Sequence, residues 1–486
     1  MAKETRTMRR RRFLGYTTLL AASSQLTPRV QAQSTESSWP MFQFDTTNTG
    51  YNPDASIPSE QIGKQWQGST FGEVVTSPVV VDGKTFVGSK GGNVHAFDSK
   101  TGEKLWEFST GYSIESTPVV YNGDLFVGDS QGTVYSISME GSENWSESLS
   151  PDDGYGIFNP LTAYDGELFV AVSDPDWYSS YLVSVNASDG SVTWRYPSDE
   201  NLDGKSSSAP VVSGETVFVN MGGVRAVDIF DGEARWIKES ASAGSTVYGI
   251  AGELTLSGNN LIISSDNLIC LDPSDGSLKW VYTNSNLEKI SSIAVDGRDI
   301  YFTGNTESGD GYVYSIDKVT REQNWRKQLR ATTDSDPVIT DKKLLTGADD
   351  GKLYTFEREG GARLWTISTG ESVDSTPSLV QNSVYFGSND GYAYKVGKVE
   401  DTPTDTPSET SSPTETSEIE STPTDTATSE STETSTDRVP TTSATSEEKF
   451  ERGFFTNNGG TELRFLRNPF ILTVGGFLLS ILGIVY

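Results

Sequence analysis

Acidic side chains are the only chemistry-bearing groups that this chain holds in quantity. Its 486 residues include 67 Asp and Glu but a single His, His95, and a single Cys, Cys270. Zinc sites draw on several His or Cys ligands, and Ser or Cys nucleophiles draw on a nearby His, so one of each supplies no such constellation. Five acids fall near the start of a repeated unit. Glu73, Glu115, Asp334, Asp336 and Asp374 fall just before or within the short apolar run that opens a unit. If those runs line a channel, a ring of carboxylates there could hold calcium or a basic peptide segment. The plainer reading is an acidic surface suited to salt, where screening removes self-repulsion.

Formal charge is −30, from 67 acidic against 37 basic residues. Nucleic-acid binding needs a basic footprint, so the balance argues against it. One Cys excludes an intrachain disulfide, and the fold must hold by packing.

The elements that would position the acids recur in phase. Tryptophans at 66, 106, 145, 194, 236, 280, 325 and 365 are spaced by 40, 39, 49, 42, 44, 45 and 40 residues. A fixed period near 40 marks a repeat architecture. The first unit shows four β-rich runs, around Val79-Val80-Val81, Thr85-Phe86-Val87, Val94-His95-Ala96-Phe97 and Leu105-Trp106, with Gly and Asp turns between them. Four short strands per repeat predict an all-β fold, a β-propeller of four-stranded antiparallel blades. The Trp, one per blade, is large enough to fill the seam between neighbours. Seven full units run from Gln67 to Trp365, and Thr366 to Lys398 supplies three more strands. The missing strand is Ile62-Gly63-Lys64-Gln65-Trp66, so joining the ends makes eight blades and removes open sheet edges. Seven blades with frayed ends is the alternative. In register, His95 takes the place of Tyr135, Tyr314, Tyr354 and Tyr394, and Cys270 that of Ala96 and Ala226. Both are read as strand residues, not as base, nucleophile or ligand.

The run Ala96-x-Asp98-x-x-Thr101-Gly102-x-x-x-Trp106 resembles the tryptophan-docking motif of the PQQ-like (quinoprotein) β-propeller repeat family. Relatives in that family include quinoprotein alcohol dehydrogenases and the outer-membrane assembly lipoprotein BamB, which has eight blades. The resemblance spans residues 39 to 398. It implies the fold and leaves function open, because fold and site are separate questions. The enzymes of the family pair two adjacent cysteines over the quinone and use carboxylate and amide ligands for calcium. This chain has no cysteine pair.

The flanks have their own readings. Residues 1–32 read as a twin-arginine export signal, with Arg9-Arg10-Arg11-Arg12-Phe13-Leu14, a short apolar core and a Val30-Gln31-Ala32 cleavage site. No Cys follows that core, so a lipid anchor like that of BamB is not expected. Residues 33–61 form an apolar strap, expected to pack across the last blade; similar lead-ins precede exported propellers of halophilic archaea. The propeller takes 62–398. Residues 399–448, rich in Thr, Ser, Pro, Glu and Asp, read as a disordered stalk, since they lack the apolar surface to offset chain entropy. A juxtamembrane piece, 449–468, leads to the uncharged run 469–486, about 27 Å as a helix and just enough to span a bilayer as a C-terminal transmembrane anchor. The tail is also similar to those removed by archaeal sorting enzymes, but Asn468-Pro469-Phe470 departs from their Pro-Gly-Phe motif, so a retained anchor is expected. Arg464 and Arg467 would then lie outside, against the positive-inside tendency.

An insert in the third unit offers Trp177 and Tyr178 as a partner contact. Asn144 and Asn186 fit the N-glycosylation sequon. The reading of the whole is an exported, surface-anchored monomer. It would act as a non-catalytic module for binding a protein or peptide, with no cofactor. Two alternatives remain, a quinoprotein oxidoreductase using PQQ and calcium, and a surface binder of carbohydrate or calcium.

Overall fold

The computed structural model describes residues 38–150, 154–174, 179–198, 202–203 (backbone), 208–239 and 252–399, with the backbone of 472–474 and 477–479. The export signal, the insert tip with Trp177 and Tyr178, and the stalk lie outside the described residues. Two units separate, Met1–Thr406 and Pro407–Tyr486. In the second, Leu472–Val474 pairs with Phe477–Leu479 as a two-stranded antiparallel hairpin. The rest of the expected anchor falls outside the described residues, among which no helix is long and apolar enough to cross a membrane.

The first unit is an eight-bladed propeller. Its first blade orders Val79–Val81, Lys84–Gly88, Asn93–Asp98 and Lys104–Ser109 side by side, all antiparallel. Asp82 and Gly83 join the first two strands with φ of 49° and 73°. Two successive positive φ values give the turn whose twist matches a hairpin. The two middle strands are almost wholly buried, whereas Lys104–Ser109 alternates exposed with partly buried residues. A middle strand is covered on both faces by neighbouring blades, and an outer strand meets solvent. The first strands touch one another from blade to blade, and Ser378–Val380 of the eighth touches Val79–Val81 of the first. These strands therefore surround the axis.

The eighth blade is assembled from both ends of the domain. Its order is Ile62–Ser69, Tyr392–Lys398, Ser383–Ser388, Ser378–Val380. Ile62 faces Lys398 and Ser69 faces Tyr392. The expected closure therefore holds, with the early strand running three residues beyond Trp66.

The period-40 tryptophans dock each blade to the next. Indole N–H groups of Trp66, Trp106, Trp145, Trp194, Trp236 and Trp325 donate to the carbonyls of Ser99, Met139, Ala187, Ile229, Pro273 and Arg358, at 2.8–3.1 Å. Trp365 reaches Pro58 instead, at 3.1 Å. Each of the first six rings lies on a glycine of the next blade. At Gly102, φ is 76° and an added Cβ would sit 2.6 Å from the Trp66 ring. The motif's aspartate holds that turn, since Asp98 Oδ1 accepts from the N–H groups of Lys100 and Thr101. Its alanine lies opposite the tryptophan, as Ala96 does to Trp106 and Cys270 to Trp280. Cys270 is thus the small strand residue expected, and burial pushes its thiol up to about 12.

Trp280 is the exception, because Arg321 replaces the glycine beneath it. Arg321 has φ of 63° and lays its guanidinium 5.7 Å from the Trp280 ring. A left-handed backbone costs a non-glycine residue about 1–2 kcal/mol, more than an exposed cation–π contact of about 0.5–1 kcal/mol returns. Arg321→Gly should therefore raise stability by about 1 kcal/mol, read as a higher urea midpoint. A lower midpoint would mean that the guanidinium outweighs the backbone strain.

The strap differs from expectation. It packs on the eighth blade through Ala55 and Ile57, but it also follows the inner ring around nearly the whole propeller. Trp39 and Val80 exchange two main-chain hydrogen bonds. The N–H groups of Val120, Val212, Leu256, Val295 and Ile339 then donate to Pro40, Thr46, Thr47, Thr49 and Gly50. Ser56 ends the circuit at Gln381 of the eighth blade. The reason is that the innermost edge of a blade leaves its N–H groups unpaired, and buried donors need partners. The strap thereby runs along the inner strands on the side of the first inter-strand turns. Trp39, fully buried, packs on Phe44 with ring centroids 5.1 Å apart.

Candidate functional site

In several blades a hydroxyl precedes the first strand and ties it to the second. Thr76, Ser116 and Ser375 each donate to a second-strand glycine carbonyl, of Gly88, Gly128 and Gly387, at 2.8–2.9 Å. The next residue ties blade to blade. Ser77 N–H donates to Thr117 Oγ1 at 3.0 Å. Asp336 stands in the position of Thr117. It accepts from Ser292 N–H at 3.2 Å and from Thr376 Oγ1 at 2.8 Å. Pro78, Pro118, Pro337 and Pro377 follow and keep the preceding residues extended.

Asp336 is half-buried by surface yet surrounded by protein in depth, and the surrounding volume governs its titration. Desolvation pushes its carboxyl up to about 6, while the bonds from Thr376 and Ser292 pull the other way. A folded-state value above the unfolded one means that the folded chain binds the extra proton. The stabilisation is present below the unfolded value near 4 and is lost as pH rises through about 6. Asp336→Asn should then be more stable than wild type at pH 7 by about 2 kcal/mol, with the gap closing by pH 4. Denaturant midpoints at the two pH values check this, and a pH-independent gap would count against a charged Asp336.

The other four acids lie in the lead-ins and not within the first strands. Glu73 pairs with Lys90 at 2.8 Å and Asp334 with Lys289 at 3.0 Å. Glu115 accepts from Ser113 Oγ at 3.2 Å, and Asp374 from Asn389 Nδ2 at 2.6 Å. Lys90 titrates above its usual range, chiefly through its hydrogen bond to Glu73, with Glu115 and Asp374 adding to the effect. So Glu73, Glu115 and Asp374 share one mouth of the channel. Asp334 and Asp374 also act on Asp349, whose carboxyl is raised mainly by burial. This mouth is on the face opposite the strap.

The five acids are not brought together as a ligand set. Calcium needs six to eight oxygen ligands, and among the described residues no group of three His, Cys, Asp or Glu could hold a metal ion. Asp336 has each oxygen occupied by a donor. These five acids therefore give calcium no ligand set, and the cysteine pair is lacking.

His95 is fully buried, stacked on Phe97 at 6.1 Å. Burial pushes its imidazole down to about 4 against the pull of Glu107. Asn144 uses its amide nitrogen on Asp124 Oδ1 and Ser136 Oγ. Asn186 Oδ1 accepts from Ser188 N–H and Oγ, as the motif's aspartate does elsewhere.

Sequence reasoning missed two exposed aromatics on the mouth face. Phe71 is 75% exposed and Tyr112 is 52% exposed. The register Ser69-Thr70-Phe71 against Ser109-Thr110-Gly111 carries the signal for the first, an aromatic where the repeat places glycine.

Comparisons with known proteins fit this architecture. A family profile described as outer membrane protein assembly factor BamB matches residues 60–282 and 283–429. No curated protein matches. Among solved structures, the chain is similar to the quinohemoprotein alcohol dehydrogenase of Comamonas testosteroni, with TM-score 0.65 and 14% identity over 75% of this chain and 81% of that one. A europium-containing methanol dehydrogenase gives 0.62 and 13%, over 74% and 98%. BamB from Moraxella catarrhalis gives 0.55 and 16%, over 69% and 99%. Identities this low speak for the fold alone.

Proposed function

Because the chain belongs to the family described as outer membrane protein assembly factor BamB, we propose that it is a non-catalytic propeller that holds a polypeptide partner, exported and anchored at the cell surface. The observation that carries the reading is how the channel's polar groups are spent. Asp336 and its neighbouring hydroxyls bond blade to blade, and the strap takes up the inner-strand N–H groups of six blades. The opposite face carries exposed aromatics, Phe71 and Tyr112, among acids that outnumber the lysine they surround. Such a surface suits a macromolecular partner better than a small substrate, which needs a concave and mostly enclosed site.

A quinoprotein oxidoreductase is the second reading, favoured by the likeness to two dehydrogenase structures. Native mass spectrometry of the full chain, purified from its own membrane at high salt, separates the two. A co-purifying polypeptide is expected. Added mass equal to a quinone with calcium would overturn the scaffold reading.

A further inference from the structure

We propose that Phe71 and Tyr112, with Glu73, Glu115 and Asp374 around them, form a docking surface for an extended polypeptide segment that carries lysine or arginine beside apolar side chains. This rests on the scaffold reading above and names the partner's chemistry.

Phe71 is the residue hardest to explain by stability. Its φ is 55°, a left-handed conformation that costs a phenylalanine about 1–2 kcal/mol. Its ring is 75% exposed, so burial gives little in return. The equivalent residue one blade on is Gly111, with φ of 83°. An aromatic held in strain and in water points to use by something that covers it.

The backbones that carry the two aromatics are held by matching clamps. Thr70 Oγ1 donates to the carbonyls of Gly72 and Gly391, each at 2.9 Å. Thr110 Oγ1 makes the same clamp on Tyr112 and Gly92, at 2.9 and 3.1 Å. Between them lies the turn Gly91-Gly92. A Cβ on Gly91 would sit 3.2 Å from Phe71 O, and one on Gly92 3.0 Å from Tyr112 N. A side chain there would press on both carrying backbones, and a preset pair loses less entropy when a partner arrives.

Charge selects the partner. Glu73, Glu115 and Asp374 act on one lysine, Lys90, which leaves the mouth net negative. The Phe71 ring already draws a cation, with Lys104 Nζ 5.3 Å from its centroid. Aromatic faces and carboxylates together favour guanidinium and ammonium groups. A −30 chain repels acidic partners at distance and steers basic ones inward.

The test uses the full chain and two labelled peptides, one alternating lysine with phenylalanine and one alternating glutamate with phenylalanine, followed by fluorescence anisotropy. The basic peptide should bind and the acidic one should not. Phe71→Gly should weaken binding about tenfold and Tyr112→Ser about fivefold, with neither lowering the melting temperature. Glu73→Gln with Glu115→Gln should weaken it in low salt and much less in 1 M salt. No binding of the basic peptide, equal binding of both, or a double aromatic variant within twofold of wild type would overturn the proposal. Native mass spectrometry of that double variant separates the two levels. A co-purifying polypeptide retained at full occupancy sinks this surface and leaves the scaffold reading standing, whereas a quinone with calcium sinks the reading itself.

Discussion

Deleting residues 38–57 while keeping the closing strand Ile62–Ser69 is expected to lower the unfolding free energy by on the order of 5 kcal/mol. Six inner-strand N–H groups, of Val80, Val120, Val212, Leu256, Val295 and Ile339, lose their acceptors. Each such bond contributes about 1 kcal/mol net, and the fully buried Trp39 adds about 2–3 kcal/mol of apolar burial. Water reaching those N–H groups returns part of that loss. Urea unfolding followed by tryptophan fluorescence gives the midpoint. An unchanged midpoint would show the strap to be a passenger. A useful companion is Trp39→Ala, which removes the burial and keeps the main-chain bonds, and which should cost roughly half as much.

His95→Tyr is expected to abolish an acid-dependent loss of about 2 kcal/mol between pH 7 and pH 5. The imidazole is fully buried, and the Glu107 carboxylate lies 3.5 Å from Nδ1. Its folded value of about 4 is below the ordinary 6.5. A depressed histidine is protonated first in the unfolded chain. Stability is therefore whole above about 6.5 and falls as pH drops toward 4. Tyrosine fits the position, since Tyr135, Tyr354 and Tyr394 occupy it in other blades. The measurement is the difference between variant and wild-type midpoints at pH 7 and pH 5, because many surface acids contribute equally to both proteins. A constant difference would refute a neutral buried His95. Asp336 slopes the opposite way between pH 4 and 6, so each single variant should unmask the slope of the other.

The sequence made the blades legible because side chains carry them. Trp106, Gly102, Asp98 and Ala96 each occupy a position that few residue types can fill, so the motif survives in phase around the ring. The closing strand was legible from arithmetic, as one end had a spare Trp strand and the other lacked it. The strap's course was hidden for the converse reason. Its bonds to Val120, Val212, Leu256, Val295 and Ile339 are main-chain bonds, to which Pro40, Thr46, Thr47, Thr49 and Gly50 contribute only carbonyls, and any residue has one. The acids were found but overread. Glu115, Asp334 and Asp374 share a register and Glu73 lies two residues earlier, yet register places backbones, and the four side chains turn to Ser113, Lys289, Asn389 and Lys90. Asp336 was marked as an acid when its meaning lay in the hydroxyl it replaces. Thr76-Ser77-Pro78, Ser116-Thr117-Pro118 and Ser375-Thr376-Pro377 show that position plainly once Ser335-Asp336-Pro337 is set beside them.

The clasp in the eighth blade also sets a timetable. Ile62–Ser69 is among the first segments of the domain to be synthesised, and its partner Tyr392–Lys398 is the last. More than 300 residues separate them, which at about 5–20 residues per second leaves the early strand waiting for tens of seconds. During that wait it is an unpaired edge, open to the wrong neighbour. Lys64 and Gln65, exposed even in the finished ring, keep that edge polar. The ring can lock only after the ribosome has delivered nearly everything else, so a chain that stops short of Tyr392 remains open along its whole first strand.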